Sequence, residues 1–258
     1  VGSEMCIRDR SDVVVPVGWE FYEISDVAKE YPDTKFIWVD NPAEGIEDLP
    51  NVLCILYAQN EGSFLAGYIA ASMSETGVVG AVGGEDNDTI NDFLIGYKEG
   101  AQYANPDIKV VTNYANTYED PAKGKECALA LNSQGADVIF AVAGNTGNGV
   151  FAAAKEKGFY VIGVDQDQKL SAPEYDEQII CSMKKEVGTS VYDTVKALIE
   201  DDTWDGGRIW TADMATGYVS MAYGDENSTQ QVSDDLKKAT DDIQNKIVAG
   251  EITVSTAR

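Results

Sequence analysis

The chain has 258 residues, 44 acidic against 19 basic side chains, a formal net charge of −25 and no histidine. Without imidazole there is no Ser-His-Asp or Cys-His nucleophile pair, no imidazole metal ligand and no histidine base near neutral pH. So acidic a surface repels phosphate backbones and anionic lipid headgroups, no Lys/Arg cluster offers a local exception, and nucleic acid is a poor partner.

The first ten residues, VGSEMCIRDR, have neither strand alternation nor a helical period that continues past residue 10, and we read 1–10 as a foreign segment, a scar of cloning or sequence assembly. From residue 11 order begins. DVVVPVG (12–18) reads as a buried strand, 24–31 as a helix stopped before Pro32, and KFIWVD (35–40) and NVLCILY (51–57) as further strands. Next come a helix over 61–74, the strand VVGAVGG, a helix over 88–104 and the strand IKVVTNY. The rhythm repeats with helix 121–133, strand 136–143, helix 147–157, strand YVIGVD (160–165), strand EQIICSM and helix 187–200. In the tail, 217–222 reads as a strand, 232–249 as an acidic amphipathic helix and EITVS as a closing strand.

Short crossovers between apolar strands imply parallel sheets with helices on both faces, and so many strands divide into two sheets, hence two lobes. Cys54, Cys127 and Cys181 lie in apolar contexts without CxxC spacing and read as small buried hydrophobes; Cys6 belongs to the foreign segment and lacks the apolar stretch that precedes a lipidated cysteine. The longest nearly apolar run, 64–73, is well short of the roughly 20 residues that span a bilayer. No secretory signal is visible.

Ligands of open parallel sheets bind beyond the carboxyl ends of the strands, so the residues there carry the functional reading. Gly144, Gly147 and Gly149 come after a strand and open a helix, but GxxGxG is not the dinucleotide fingerprint and no P-loop lysine is present; a tight strand-to-helix turn is the commoner reason for such glycines. Asp165 ends an apolar strand, where a carboxylate faces a cleft or a cation, or caps a turn; as a double acceptor it suits a vicinal diol. Lys185, just past the next strand, offers donors to the same ligand or is simply solvated. Tyr118 and Trp19 lie in loops after strands, where a flat ring stacks on a base or a sugar, whereas Phe93 lies on a helix and suits core packing at least as well. The pairs Glu85/Asp86 and Asp165/Asp167 suit acid–base work or a metal only weakly, because acidic pairs recur all over this chain.

The stretches VGWEFYEISDVAKEYPDTKFIWVD, NEGSFLAGYIAASMSETGVVGAVGG, GADVIFAVAGNTGNG, IGVDQDQ and SMKKEVGTSVYDTV together resemble the basic membrane protein family of ABC-transporter substrate-binding lipoproteins, whose members include purine nucleoside receptors. The resemblance covers nearly everything from residue 11 onward. It implies an α/β, type I periplasmic-binding fold: two doubly wound parallel-sheet lobes joined by a hinge, closing on a ligand. Crossings are expected near 57–60, near 182–185 and after about 206, giving one lobe of 11–57 plus 184–206 and another of 58–183 plus 207–258. The family's opening strand and Ser-Phe-Asn stretch have no counterpart here, so the first lobe is expected to be incomplete, with apolar sheet faces exposed and affinity reduced.

Position by position, the resemblance makes Asp165 the ribose-binding aspartate, Lys185 the family's lysine, Tyr118 a stacking ring where the family often has phenylalanine, and Asp40 a polar contact. Trp19, Phe93, Gly144 and Asn145 are further ligand contacts. The implied activity is capture of a nucleoside, a purine one, between the lobes and delivery to a membrane permease, with no catalysis, cofactor or metal, by a monomer anchored outside the cytoplasm whose export signal is absent from this chain. The alternatives are a receptor for a sugar or another small metabolite, and a nucleoside-cleaving enzyme seated on the DQDQ loop.

Overall fold

The computed structural model describes residues 11–258; the foreign segment expected at 1–10, with Cys6, lies outside the described residues. In chain order the elements are β1 (Val13–Val14), α1 (Ile24–Glu30), β2 (Lys35–Val39), β3 (Val52–Tyr57), α2 (Gln59–Met73), β4 (Val78–Gly83), α3 (Asp88–Ala104) and β5 (Lys109–Tyr114). After them stand α4 (Pro121–Ser133), β6 (Val138–Val142), α5 (Gly147–Lys157), β7 (Tyr160–Asp165), α6 (Gln168–Ser171) and β8 (Ile179–Lys185). Last come α7 (Val187–Glu200), β9 (Arg208–Ala212), β10 (Val219–Ala222) and α8 (Asp234–Val248).

The chain forms two compact units, one taking it up to Ala58 together with Glu186–Tyr218, the other taking Gln59–Lys185 and Val219–Arg258. The third crossing therefore falls after Tyr218 rather than near 206. The reason is β9, which sequence reading missed: Leu53 to Tyr57 of β3 pair in parallel register with Arg208 to Ala212, which holds this stretch in the first unit. β9 gave little signal, because only its last residue, Ala212, is buried.

In the first unit the sheet order is β1-β2-β3-β9, all parallel. The continuous apolar runs of β2 and β3 are buried, as a sheet covered on both faces requires. Ile24 and Ala28 of α1 pack on Phe36, Trp38, Val52 and Cys54. Burial pushes the Cys54 thiol up to about 11, so it is an inert hydrophobe. Asn51 ties the end of α1 to β3, its amide donating to the carbonyls of Ala28 at 2.9 Å and Tyr31 at 3.0 Å, which helix termination leaves without intrahelical partners. Of eleven large apolar residues exposed among the described residues, seven (Val15, Val17, Trp19, Tyr22, Tyr192, Ile199 and Ile209) belong to this unit.

The second unit carries a six-stranded sheet of order β10-β8-β7-β6-β4-β5, parallel except for β10. Strand alternation divides its side chains between two helical layers. Ile139 and Ala141 face α4 and α5 through Leu131, Val150 and Phe151, whereas Phe140 faces α3, with ring centroids 6.2 Å from Phe93 and 5.3 Å from Tyr97. α2 and α3 lie backbone against backbone: a Cβ on Gly67, Gly96 or Gly100 would overlap the carbonyl of Tyr97, Asn60 or Phe64 respectively.

EITVS is not a strand. Its polar groups go to side chains of α2 and α3: Asn60 Nδ2 donates to the carbonyls of Val254 and Ser255, both at 3.1 Å, and Glu99 accepts from Ser255 N at 3.0 Å. Buried Asp92 then takes Thr256 Oγ1 at 2.6 Å, Ala257 N at 2.7 Å and Arg258 Nε at 3.2 Å. Glu251 N and Ile252 N close on Lys246 O at 2.9 and 3.2 Å, so a helix end and side chains, not a sheet, satisfy this backbone.

Behind the end of β7 lies a buried cation. The Lys169 ammonium, its side chain fully buried, meets Asp176 Oδ1 at 2.9 Å and donates to the carbonyls of Asp176 at 2.7 Å and Ile179 at 2.6 Å and to Gln231 Oε1 at 3.1 Å. Burial pushes the Asp176 carboxyl up, but hydrogen bonds from Thr229 and Lys169 outweigh it and hold the group below its ordinary value.

Gly100→Ala forces α2 and α3 apart and is expected to cost about 3 kcal/mol in urea unfolding. Asp176→Asn is expected to cost about 2–4 kcal/mol near neutrality, since it strips a buried ammonium of its counter-ion. Because the native carboxyl is depressed, the wild-type advantage is complete above about pH 4 and closes as pH falls through the lower native value, as urea midpoints in acid will register.

Candidate ligand-binding edge of the second unit

Five neighbouring parallel strands send their carboxyl ends to one edge of the larger sheet, in the order β8, β7, β6, β4, β5. Lys185, Asp165, Gly144 and Asn145 stand at or just past the ends of β8, β7 and β6, and Tyr118 comes after β5.

Tyr118 crosses over its neighbours. A Cβ on Gly84 would run into the Tyr118 ring, and one on Gly144, whose φ is 53°, would stand 3.4 Å from Tyr118 Cβ, so the ring is seated on two glycine backbones. Asn87 Nδ2 donates to the Tyr118 hydroxyl at 3.0 Å, while Asn87 Oδ1 accepts from Ile90 N at 3.0 Å and caps α3. The loop is sewn to the next: Thr146 N donates to Tyr118 O at 2.9 Å, Thr146 Oγ1 to Thr117 O at 3.1 Å, and Asp120 N to Thr146 Oγ1 at 2.9 Å. Asn145 is exposed, and its side chain accepts from Asn148 Nδ2 at 2.8 Å and donates to Glu119 Oε2 at 3.4 Å. These contacts explain the AGNTGNG text as a turn locked by its own side chains.

Asp165 is exposed and has φ 66°, and Gln166 N donates to Val164 O at 2.8 Å across it. This is the γ-turn of positive φ, the rare and strained form. Asp167 stands behind it as a structural group: Oδ1 accepts from Lys169 N at 3.2 Å and Oδ2 from Gly224 N at 2.9 Å. It is therefore engaged with backbone donors rather than paired with Asp165. Among the described residues no group of three or more His, Cys, Asp or Glu side chains is placed to hold a metal.

Lys185 is the last residue of β8, not beyond it, and it is 7% exposed, so the solvated reading does not hold. Its Nζ lies 5.7 Å from the centroid of the Phe93 ring. Phe93 is 2% exposed, packed between that ammonium and Phe140; the structure makes it a core residue that supports Lys185. In register, Lys184 is the residue beside Asp165. Alternation turns Lys184 to the face of Ser182, and Lys185 to that of Met183 and α3.

In the first unit Asp40 comes directly after β2, half-buried, with φ 70° and its N–H bonded to Ile55 O at 2.9 Å. Each unit thus ends a buried parallel strand on an aspartate of positive φ. Trp19 opens a short 3-10 turn at residues Trp19–Phe21 and is 52% exposed.

Sequence reading placed Gly84, Asn87, Gln168 and Ser182 at strand ends but gave them no role. Asn87 had the mark of an N-cap before a helical run, but nothing linear joined it to Tyr118.

A profile of the Bmp family, described as ABC transporter substrate-binding protein PnrA-like, matches residues 4–257. Basic membrane protein A of Borreliella burgdorferi is 34% identical over 248 residues, 95% of this chain and 71% of that protein. The ABC transporter nucleoside-binding protein BmpA of Lactococcus lactis subsp. cremoris is 36% identical over 244 residues, 89% of this chain and 67% of its own length. Among solved structures, an ABC transporter system solute-binding protein from Aeropyrum pernix K1 superposes with a TM-score of 0.85 at 27% identity, covering 98% of this chain and 79% of that one. The α/β architecture with its parallel sheets is that of the type I periplasmic-binding fold. Because the profile runs almost from end to end over text that folds this way, the chain belongs to the Bmp family of PnrA-like ABC-transporter substrate-binding proteins.

Proposed function

We propose that this chain binds a nucleoside, a purine one, and hands it unaltered to a membrane permease. The observation that carries the reading is a flat ring seated on glycine backbones one to two strands away from an outward aspartate held in a strained turn. At a strand spacing near 4.8 Å, that separation is roughly 5–10 Å, which suits a base joined to a ribose. Tyr118 stacks on the base, Asp165 accepts from the 2′ and 3′ hydroxyls, and Lys185, backed by Phe93, donates to the sugar or base. Gly144 and Asn145 border the ring; in the first unit, taken by itself, Asp40 and Trp19 are the residues we propose as ligand contacts. The name of the Lactococcus relative, a nucleoside-binding protein, supports the choice of ligand class.

Catalysis is not part of the reading. The seat weighed for a cleaving metal or base was the DQDQ loop, and Asp167 there accepts from the N–H groups of Lys169 and Gly224. No helix among the described residues is long and apolar enough to cross a membrane, and we place the protein outside the cytoplasm on a lipid anchor, as palmitate labelling of the full-length protein will test.

Calorimetry with inosine, guanosine, adenosine, cytidine and D-ribose tests the ligand. Purine nucleosides are expected to bind tightest and to be recovered intact. Binding of none of them overturns the proposal, and ribose binding as tightly as inosine replaces it with a pentose receptor. Tyr118→Ala is expected to weaken nucleosides by tenfold or more, from a stacking contribution of about 1–3 kcal/mol per base, while leaving ribose nearly unchanged. Asp165→Asn, chosen because asparagine also tolerates positive φ, is expected to weaken inosine by about 10- to 100-fold with little change in melting temperature.

A further inference from the structure

We propose that Gln168 is a positioning residue for ligand binding: its side-chain carbonyl, by accepting the Val164 N–H, holds the turn that aims the Asp165 carboxylate. The inference rests on the nucleoside reading and deepens it.

The peptide groups around Asp165 are held on both sides. Val164 O accepts from Gln166 N at 2.8 Å, closing the turn, and Val164 N donates to Gln168 Oε1 at 2.7 Å. Val164 is only 6% exposed, so its N–H has little recourse to solvent if that acceptor is lost. Gln168 is in turn held by its own N–H, which donates to Ser182 Oγ at 3.0 Å on the neighbouring strand. The preceding glycine makes room for this arrangement: a Cβ on Gly163 would meet Ser182 Oγ at 2.6 Å and Gln168 Oε1 at 2.8 Å. A strained turn survives only where its surroundings over-determine it, and here they do so through one side chain reaching back four residues. The text GVDQDQ is thus a single device, with Gly163 giving space, Asp165 the carboxylate, Asp167 the anchor to Gly224 N and Gln168 the lock.

The test is Gln168→Met in the full chain, which keeps side-chain bulk and removes the acceptor. Calorimetry with inosine is expected to show roughly tenfold or greater weakening. For 2′,3′-dideoxyinosine, which lacks the diol, the same change is expected to leave affinity within about twofold, a distinction that general loosening of the fold would not produce. In an Asp165→Asn background Gln168→Met is expected to add little. Unchanged inosine affinity, equal losses for both ligands, or additive losses with Asp165→Asn would each overturn the role of Gln168. Should Gln168→Met fail to fold, Ser182→Ala, which releases Gln168 from β8, decides by the same comparison of ligands. Failure of the wild-type chain to bind inosine would instead sink the nucleoside reading.

Discussion

A parallel sheet brings the last residue of every strand to the same edge, and in the larger unit five neighbouring strands obey that constraint. Everything proposed for the site depends on it. Tyr118, Gly144, Asp165 and Lys185 are scattered over 68 positions of sequence (185 − 118 + 1). They become neighbours along one edge because β5, β4, β6, β7 and β8 lie side by side in one direction. The glycines of α2 and α3 and the buried residues of α4 and α5 serve this end, packing helices on both faces of the sheet.

At that edge, strain and charge are held by groups that never need to touch a ligand. The positive φ of Asp165 is an energetic cost of order 1–2 kcal/mol met by the hydrogen bonds of the surrounding loop. Lys169, a buried cation in a chain of net charge −25, pins that loop to Asp176 and to two carbonyls. Lys185 presents a second buried ammonium, seated over Phe93. A strongly acidic exterior therefore coexists with cationic groups at and behind the strand ends.

Much of the architecture could be read along the chain. Unbroken apolar runs such as KFIWV and VLCILY announce strands covered on both faces, and Pro121 after Asp120 announces a helix start. The buried strand expected over 12–18 shrinks to Val13–Val14, neither of them buried, with Val15 and Val17 exposed, and two further segments could not be read this way. β9 is an edge strand with one buried residue, so burial left almost no pattern in RIWTA. EITVS has the alternation of a strand, yet α2 and α3 supply its partners, and nothing local reports that. Among site residues, the strand-end position of Asp165 was legible, but the bracing of its turn was not: Gln168 accepts from Val164 N and is itself held by Ser182 on another strand.

Sequence alone determined the family, the alternation of strands and helices, and which residue types stand at strand ends, because periodicity and turn chemistry are local and are written residue by residue. Tertiary structure decided the rest: that Phe93 underlies Lys185 instead of facing outward, that Tyr118 rests on Gly84 with its hydroxyl tied to Asn87, and that Asp167 serves the fold while Asp165 sits exposed at a positive φ. Those outcomes depend on contacts between segments distant in the chain, and such contacts exist only once the sheet has set its strand order.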